Sequence, residues 1–343
     1  FRSTLLTTTT YQKNLSVYVE DRLIYTSVVP PVRNAADTPG SGKVAISLPP
    51  DSAGQTIRME YEHVILSDGG PVPTITLQDG VGKPFLMIPN GNYLFFIVSA
   101  IFLVGVVLLL LSVALVGIGV KLAPILYLAI FYLSSSMWIM CNSKIFQFFT
   151  DNLVLMHNLE YMSFYLLPLA LWSFLWSNWH CYPKISACIL TVTGTFFALA
   201  ITLKAFGILD FYYLLPVFHV LLALSIATFA VVAVMVFRGR DFSLKLFFLG
   251  FAQLCFCGLV DLVRYYTVFT PESMAGFFVS GVLLMGVFIL SSFLFSTRDR
   301  LRDSIEREMY KTLAFTDVLT GISNRLRFEA DLKDLEGEQC DRV

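Results

Sequence analysis

Residues 93–119, YLFFIVSAIFLVGVVLLLLSVALVGIG, contain no charged side chain and, as a helix, are long enough to cross a lipid bilayer. The chain of 343 residues has the same bias throughout, since 56% of its residues are hydrophobic and only 14% are charged. This composition excludes a single water-soluble domain. The formal net charge of −1 provides no overall basic field for nucleic acid, and 31 Phe and 15 Tyr exclude a disordered chain.

Seven hydrophobic stretches of this kind predict a bundle of seven transmembrane helices. We place them near residues 93–119, 122–142, 153–178, 184–204, 210–237, 244–267 and 274–297. Lys and Arg favour cytoplasmic loops. The side that includes Lys121, Lys184, Arg238, Arg240, Lys245, Arg298, Arg300 and Arg302 outnumbers the side with Lys83, Lys144, Lys204 and Arg264. The C-terminal segment is therefore predicted to be cytoplasmic, and the N-terminal segment, across an odd number of spans, to be extracytoplasmic.

The density of charge divides the chain into parts. Residues 1–92 hold 15 charged side chains, residues 93–297 hold 14, and residues 298–343 hold 20. This pattern predicts a polar domain over residues 1–92, a membrane sensor domain over 93–297 and a charged C-terminal region. Because the chain begins at Phe1 and stops in charged sequence, we expect it to be part of a longer protein.

The first part has the alternation typical of β-strands. Leu15, Val17 and Val19 alternate with polar residues, and a second apolar run at residues 23–25 predicts a hairpin. Further strands are predicted at residues 44–48, 57–61 and 75–77, with turns at 49–54 and 68–71. The pattern predicts an antiparallel β-sandwich whose opening strands we expect to be missing, and no cysteine is present in this part to form a disulfide.

Two stretches resemble known families. Residues 15–80 resemble the galactose-binding-like jelly-roll domains that precede bacterial multi-helix sensors, through the hairpin and the Pro-x-Asp-Ser-Ala-Gly turn at residues 49–54. Residues 159–168, LEYMSFYLLP, and the layout of residues 90–298 resemble the bacterial seven-transmembrane receptors with diverse intracellular signalling modules. These resemblances imply a multi-pass receptor of the bacterial inner membrane that binds an unidentified extracytoplasmic ligand and contacts membrane lipid.

Ionisable residues inside membrane spans are candidates for a functional site. His157 and Glu160 in the third span, and Asp261 and Arg264 in the sixth, are all predicted to lie toward the outer leaflet, where they could line one sensor pocket. Alternatively, each of these two pairs could neutralise itself within its own helix. His219, in the fifth span, is predicted to be an interhelical hydrogen-bonding partner or a ligand.

Cysteines predict no metal centre. Cys255 and Cys257 are two positions apart on a helix and therefore face different directions, which makes them a poor pair of metal ligands. We interpret all six cysteines as buried thiols that behave as small apolar groups. The six are Cys141, Cys181, Cys188, Cys255, Cys257 and Cys340.

A charged helix is predicted to follow the last span. Leu301, Ile305 and Met309 recur at four-residue spacing within residues 298–315, which predicts an amphipathic helix that continues the last span into the cytoplasm. Such a helix could transmit movement from the membrane to the next domain, or only separate the two.

Residues 317–328, DVLTGISNRLRF, come directly after this helix. The string matches the opening signature of GGDEF domains, the diguanylate cyclases, at Asp317, Leu319, Thr320, Gly321, Asn324, Arg325 and Phe328. It departs from that signature in having Ile322-Ser323 where Leu-Pro or Leu-Tyr is usual. The matching residues belong to the framework of such a domain, and residues 316–343 are its expected N-terminal fragment, with an α/β fold.

The resemblance implies a homodimer that joins two GTP molecules into cyclic di-GMP with Mg²⁺. Its metal-binding acid and its GGDEF turn are expected beyond Val343, so this fragment is expected to contain no catalytic residue, to bind no cofactor and to be inactive alone. Two alternatives remain open. The GGDEF domain could be degenerate and serve only for docking, or the protein could be a transporter with a regulatory domain, which would be expected to show internal repeats.

Overall fold

The structure is a computed structural model. It describes residues 4–27, 38–63, 73–79, 93–116, 123–178, 183–239, 241–267 and 276–315, together with Ile322 and Phe328. Six β-strands precede seven long α-helices within this described part of the chain.

Two three-stranded antiparallel sheets form the N-terminal region. The strands are β1 (Thr4–Tyr11), β2 (Lys13–Val19), β3 (Arg22–Thr26), β4 (Ser41–Ser47), β5 (Ile57–His63) and β6 (Thr76–Asp79). Their order is β4-β1-β6 in one sheet and β3-β2-β5 in the other. The predicted hairpin is confirmed as β2 and β3, in which Val17 lies opposite Tyr25.

One apolar core is shared by strands β1 to β5. Leu15, Val17 and Val19 of β2 are buried, as their alternation predicted, and they cluster with Leu6 of β1 and Ile46 of β4. Alternate residues of a strand point to the same face, so β2 contributes every second side chain, Leu15, Val17 and Val19, to this core.

Strand β1 is an addition to the predicted strands. Its threonine run, Thr7 to Thr10, shows no alternation of apolar and polar residues, although β-branched Thr favours strands. In the structure, side chains of this threonine run make hydrogen bonds to other segments instead of forming an apolar face. Thr8 Oγ1 lies 3.0 Å from the Tyr61 hydroxyl, and Thr10 Oγ1 donates to the carbonyl of Gly42 at 3.2 Å.

The helices lie close to their predicted positions. They are α1 (Tyr93–Val116), α2 (Ala123–Asn142), α3 (Leu153–Asn178), α4 (Pro183–Ala205), α5 (Phe211–Phe237), α6 (Phe242–Thr267) and α7 (Gly276–Phe315), with a short 3-10 helix at Ile145–Phe148. The predicted span at residues 274–297 and the predicted helix at 298–315 are one continuous helix of 40 residues, α7.

Six helices of the described chain are long and apolar enough to cross a membrane, and α3 is not among these six. Helix α3 contains His157, Asn158 and Glu160 near its start, which lowers its hydropathy. On α1 the exposed side chains include Phe96, Leu103 and Leu110, an apolar surface typical of contact with lipid. The chain therefore has the character of a multi-pass membrane protein.

The chain divides into two compact units. The first comprises Phe1–Met235 and Ala252–Leu284, and the second comprises Val236–Phe251 and Met285–Val343. Within the second unit, α6 and α7 are joined by reciprocal hydrogen bonds in which the hydroxyl of Ser243 donates to the carbonyl of Ser292, and the reverse, at 2.7 Å each. The candidate functional site lies entirely within the first unit.

Candidate functional site

A cavity of about 160 Å³ lies between α2, α3, α5, α6 and the start of α7. Its walls are mainly apolar and aromatic, with a few polar side chains among them. The polar and ionisable lining residues are Asn142, Glu160, Tyr161, His219, Ser225, Asp261 and Tyr265. A concave, mostly apolar site with a few converging polar groups is the usual form of a small-molecule site.

Aromatic rings form one wall of this cavity. The indole of Trp138 stacks on the ring of Phe164, with 4.7 Å between centroids and 14° between planes. Phe278 meets the same indole edge-on at 4.9 Å. These rings come from α2, α3 and α7, so the wall exists only when the three helices pack together.

Glu160 is the first carboxylate of the lining. The Asn142 side-chain amide donates to Glu160 Oε1 at 3.0 Å, and Lys144 Nζ lies 3.5 Å from Oε2. Both partners come from the end of α2 and the turn after it. Lys144 is not one of the residues that line the cavity. Glu160 therefore has its countercharge outside the cavity.

Asp261 is the second carboxylate of the lining, and it is 7% exposed. Its Oδ2 accepts the backbone N–H of Phe278 at 2.7 Å, in the first turn of α7. A carboxylate at a helix N-terminus is stabilised by the unpaired N–H groups there. Its Oδ1 has no hydrogen-bond donor among the described residues, although Arg264 Nη1 lies 3.8 Å away.

His219 connects two helices at the edge of the cavity. Its Nδ1 lies 2.8 Å from the Tyr266 hydroxyl, which joins α5 to α6. Its ring also meets that of Tyr265 at 5.2 Å between centroids. The structure thus gives His219 the interhelical hydrogen bond that was one of its two predicted roles.

A second polar cluster surrounds Asp210, just before α5. His157 Nε2 lies 2.7 Å from Asp210 Oδ1, and the ammonium of Lys204 contacts Oδ2. The Thr38 hydroxyl donates to Oδ2 at 3.4 Å, and the backbone N–H of Tyr212 donates to Oδ1 at 2.9 Å. The Asp210 side chain is completely buried.

Electrostatics favour the ionised form of Asp210. Burial acts to raise the pKa of this carboxyl, but hydrogen bonding and charge interaction with His157 outweigh it, with help from Lys204 and the N–H of Tyr212. The net result is that the pKa of Asp210 lies below its usual value. Asp210 is therefore a buried carboxylate that its surroundings satisfy.

The four residues of the predicted pocket lie in different surroundings. Glu160 and Asp261 line the cavity, His157 belongs to the Asp210 cluster, and the guanidinium of Arg264 lies 5.2 Å from the ring centre of Phe277. His157 and Glu160 pair with residues of other segments rather than with each other. Asp261 and Arg264, the other predicted pair, do lie 3.8 Å apart.

Sequence reasoning did not single out Asp210 as a site residue. Its signal is an isolated acid directly before the apolar run of α5, the usual position of a helix N-cap. Nor did it identify Trp138 as a site residue, because an aromatic residue near the end of an apolar helix is typical of the membrane interface. Both are identified by the side chains that pack around them.

Strand β4 makes one of the contacts between the β region and the helices. The Lys43 N–H donates to the Gln147 side-chain oxygen at 2.8 Å, and the amide of Gln147 donates back to the Lys43 carbonyl at 3.2 Å. Gly42 lies against Leu153 at the start of α3. The side chain of Gln147 thus pairs with the β4 backbone as another strand would.

Of the cysteines, Cys141 and Cys257 are buried, as interpreted from the sequence, and Cys255 is partly buried. Cys188 is exposed, because its position on α4 faces away from the neighbouring helices. The prediction that all six cysteines are buried is therefore wrong for Cys188. Cys181 and Cys340 lie outside the described residues. Within the described part of the chain, no group of three or more His, Cys, Asp or Glu side chains could hold a metal ion.

The GGDEF-like signature lies mostly outside the described residues. Asp317, Leu319, Thr320, Gly321, Asn324 and Arg325 are not described, and Phe328 is exposed. Comparison with family models, with curated proteins and with solved structures finds no match for the chain.

Proposed function

We propose that this chain is the sensor and transmission part of a bacterial inner-membrane receptor that regulates cyclic di-GMP synthesis by a GGDEF domain. The observation that carries the proposal is the continuity of α7. This helix starts at Gly276, includes the cavity residue Phe278, and runs to Phe315. Asp317, where the GGDEF-like string begins, comes two residues later.

The amphipathic part of α7 supports a homodimer. Leu301, Ile305 and Met309 are 59%, 65% and 55% exposed, although their side chains are apolar. Residues four apart lie on one face of a helix. The same face of a second copy would cover this stripe, and a dimer is what a cyclase that joins two GTP molecules requires.

In this proposal the protein spans the inner membrane seven times, with α3 as the third span. The buried polar groups near the start of α3 have partners, since His157 contacts Asp210 and Glu160 contacts Lys144. Polar groups satisfied in this way are tolerated inside a membrane protein. The β region is then an extracytoplasmic domain of the galactose-binding-like, jelly-roll type, and residues 298–343 are cytoplasmic.

A path for the signal is supported by the contacts of β4. A change in the β region would reach α3 through Lys43, Gln147 and Leu153. Helix α3 lines the cavity, and so does Phe278 of α7. The described residues include no group of three or more His, Cys, Asp or Glu side chains that could hold a metal ion, and no catalytic step is assigned to them.

The test inserts one, two, three or four alanines after Asp303 of α7 in the full-length protein that contains this chain. Each inserted residue rotates the remainder of the helix and the domain after it by about 100°. Cellular cyclic di-GMP should change several-fold with one or two residues and return toward the wild-type level with four. The same insertions after Ala53, in the exposed turn before β5, serve as the control and should leave the level unchanged.

Other outcomes would contradict the proposal. If neither the wild type nor any variant changes cellular cyclic di-GMP, the cyclase output is wrong and the docking alternative gains support. Solute flux that depends on Glu160 or Asp261 would favour the transporter.

A further inference from the structure

We infer that the cavity between α2, α3, α5, α6 and α7 binds a small organic amine, with its ammonium group at Asp261 and its apolar body among the aromatic rings. The inference names the ligand class of the proposed receptor. It rests on that proposed function only for the effect of binding on output.

Asp261 is the first support for a ligand with a hydrogen-bond donor. The residue is 7% exposed and lines the cavity. One oxygen is occupied by the N–H of Phe278, whereas Oδ1 has no donor among the described residues. Arg264 Nη1 lies 3.8 Å from Oδ1, beyond hydrogen-bond distance, so a donor placed directly beside this oxygen binds favourably.

The charges around the cavity favour a cationic ligand over an anionic one. Two carboxylates, Glu160 and Asp261, are among its lining residues, whereas no Lys or Arg of the described chain is. The nearest cations, Lys144 and Arg264, contact these carboxylates at 3.5 and 3.8 Å without forming part of the lining. An anion inside the cavity would therefore meet two like charges before any opposite one.

Aromatic faces favour the same choice. Trp138, Phe164 and Phe278 form one wall of the cavity, and Tyr161 and Tyr265 also line it. An ammonium group is attracted by the face of an aromatic ring, most strongly where water is excluded. A carboxylate with several aromatic rings is the combination that recognises an amine.

The volume limits the size of the ligand. A cavity of about 160 Å³ is similar to an engineered cavity of about 150 Å³ that holds benzene. A single ring or a short branched chain with one amino group fits this volume.

The test compares three probes of one size, benzylamine, benzyl alcohol and benzoate, on the purified full chain in detergent micelles. Binding is measured by calorimetric titration and by the shift in unfolding temperature. We expect benzylamine to bind at least tenfold more tightly than the other two. Comparable binding of benzyl alcohol or benzoate would overturn the inference, as would the absence of benzylamine binding to the folded protein.

Two variants locate the site. Asp261→Asn keeps an acceptor for Phe278 and removes the charge, so it should weaken benzylamine binding at least tenfold. Asp241→Asn is the matched control, because Asp241 Oδ1 likewise accepts a backbone N–H, that of Leu244 at 2.9 Å, and does not line the cavity. Unchanged binding by Asp261→Asn would overturn the inference.

Gly258→Leu tests the site without changing a charge. Gly258 lines the cavity, and a Cβ there would meet nothing within 4 Å, so the larger side chain fills empty space. Benzylamine binding should be lost, while Gly194→Ala on α4, outside the cavity, should bind as the wild type does. Binding that survives Gly258→Leu would place the amine elsewhere and overturn the inference.

The outcomes also separate this inference from the proposed function. Benzylamine binding that leaves cyclic di-GMP unchanged in cells would support the site and contradict its link to output. If the α7 insertions alter cyclic di-GMP but no benzylamine binds, the receptor stands and the amine site is wrong.

Discussion

At the scale of single residues, the buried carboxylates of this protein differ in how well they are satisfied. Asp210 has partners on both oxygens, from His157, Lys204, Thr38 and the backbone. Asp261 has a donor on one oxygen only among the described residues. The first arrangement is typical of a structural group, whereas the second leaves a buried acceptor without a hydrogen bond among the described residues.

Asp210→Ala should strongly destabilise the protein. Its removal takes a counterion from Lys204 and a hydrogen-bond partner from His157, and breaking a buried ion pair on one side costs about 3–5 kcal/mol. Thermal unfolding in detergent should show a clear decrease in unfolding temperature. The matched control is Asp241→Ala, a helix cap at an exposed position, for which a loss of about 1 kcal/mol is expected. Equal losses in the two variants would contradict a special role for the cluster.

The same variant has a distinct pH dependence. Because the pKa of Asp210 is lowered in the folded protein, its contribution to stability is present above the ordinary aspartate pKa of about 3.9 and is lost as the pH falls through the folded value. The gap in unfolding temperature between wild type and Asp210→Ala should therefore be constant near neutral pH and narrow in acid. If the difference in unfolding temperature instead widened in acid, folding would raise the pKa of Asp210 rather than lower it.

At the scale of elements, the close approach of the β region to α3 depends on glycine. Gly40 has a φ of +76°, and a Cβ there would meet the backbone of Leu153. Gly54 has a similar φ of +82°, but a Cβ there would meet nothing within 4 Å. The two positions share a positive φ and differ in what lies beside them.

Gly40→Ala and Gly54→Ala form a matched pair for this contact. Gly54→Ala should cost about 1 kcal/mol, for the left-handed backbone alone. Gly40→Ala should cost roughly 1–3 kcal/mol more, because the β region must move away from α3. Thermal unfolding measures both variants, and equal losses would show that the contact with Leu153 contributes nothing to stability.

At the scale of the whole molecule, the six helices that meet the length and composition of a membrane span account for the high hydrophobic content. The orientation of the chain depends on the distribution of Lys and Arg, which act on insertion through loops rather than through packing. Orientation is therefore open to direct measurement without any assumption about ligand or output.

The proposed orientation can be tested by labelling single cysteines in a cysteine-free background. Asp51 lies in the exposed turn before β5, and Ser304 lies on the charged part of α7. A membrane-impermeant maleimide should label Asp51→Cys in intact cells with a permeabilised outer membrane, and Ser304→Cys only after lysis. The reverse pattern would place the β region in the cytoplasm and contradict the receptor proposal.

Local patterns in the amino-acid sequence were enough to predict the helices, the hairpin and three further strands, because hydrophobic length and alternation are properties of neighbouring residues. Even α7 was predictable, since an uncharged run long enough for a span passes directly into apolar residues at four-residue spacing. Strand β1 was not predicted, because the hydrogen-bonding partners of its threonines, such as Tyr61 and Gly42, are remote in sequence.

The partners of the buried polar groups, in contrast, were set by folding in three dimensions. By spacing, His157 and Glu160 were possible partners, yet His157 contacts Asp210, which is 53 positions away, and Glu160 contacts Lys144. Which partner lies next to a buried polar or charged group depends on which side chains helix packing brings close to it. For the same reason the cavity, whose walls come from five helices, could not be read from any single segment.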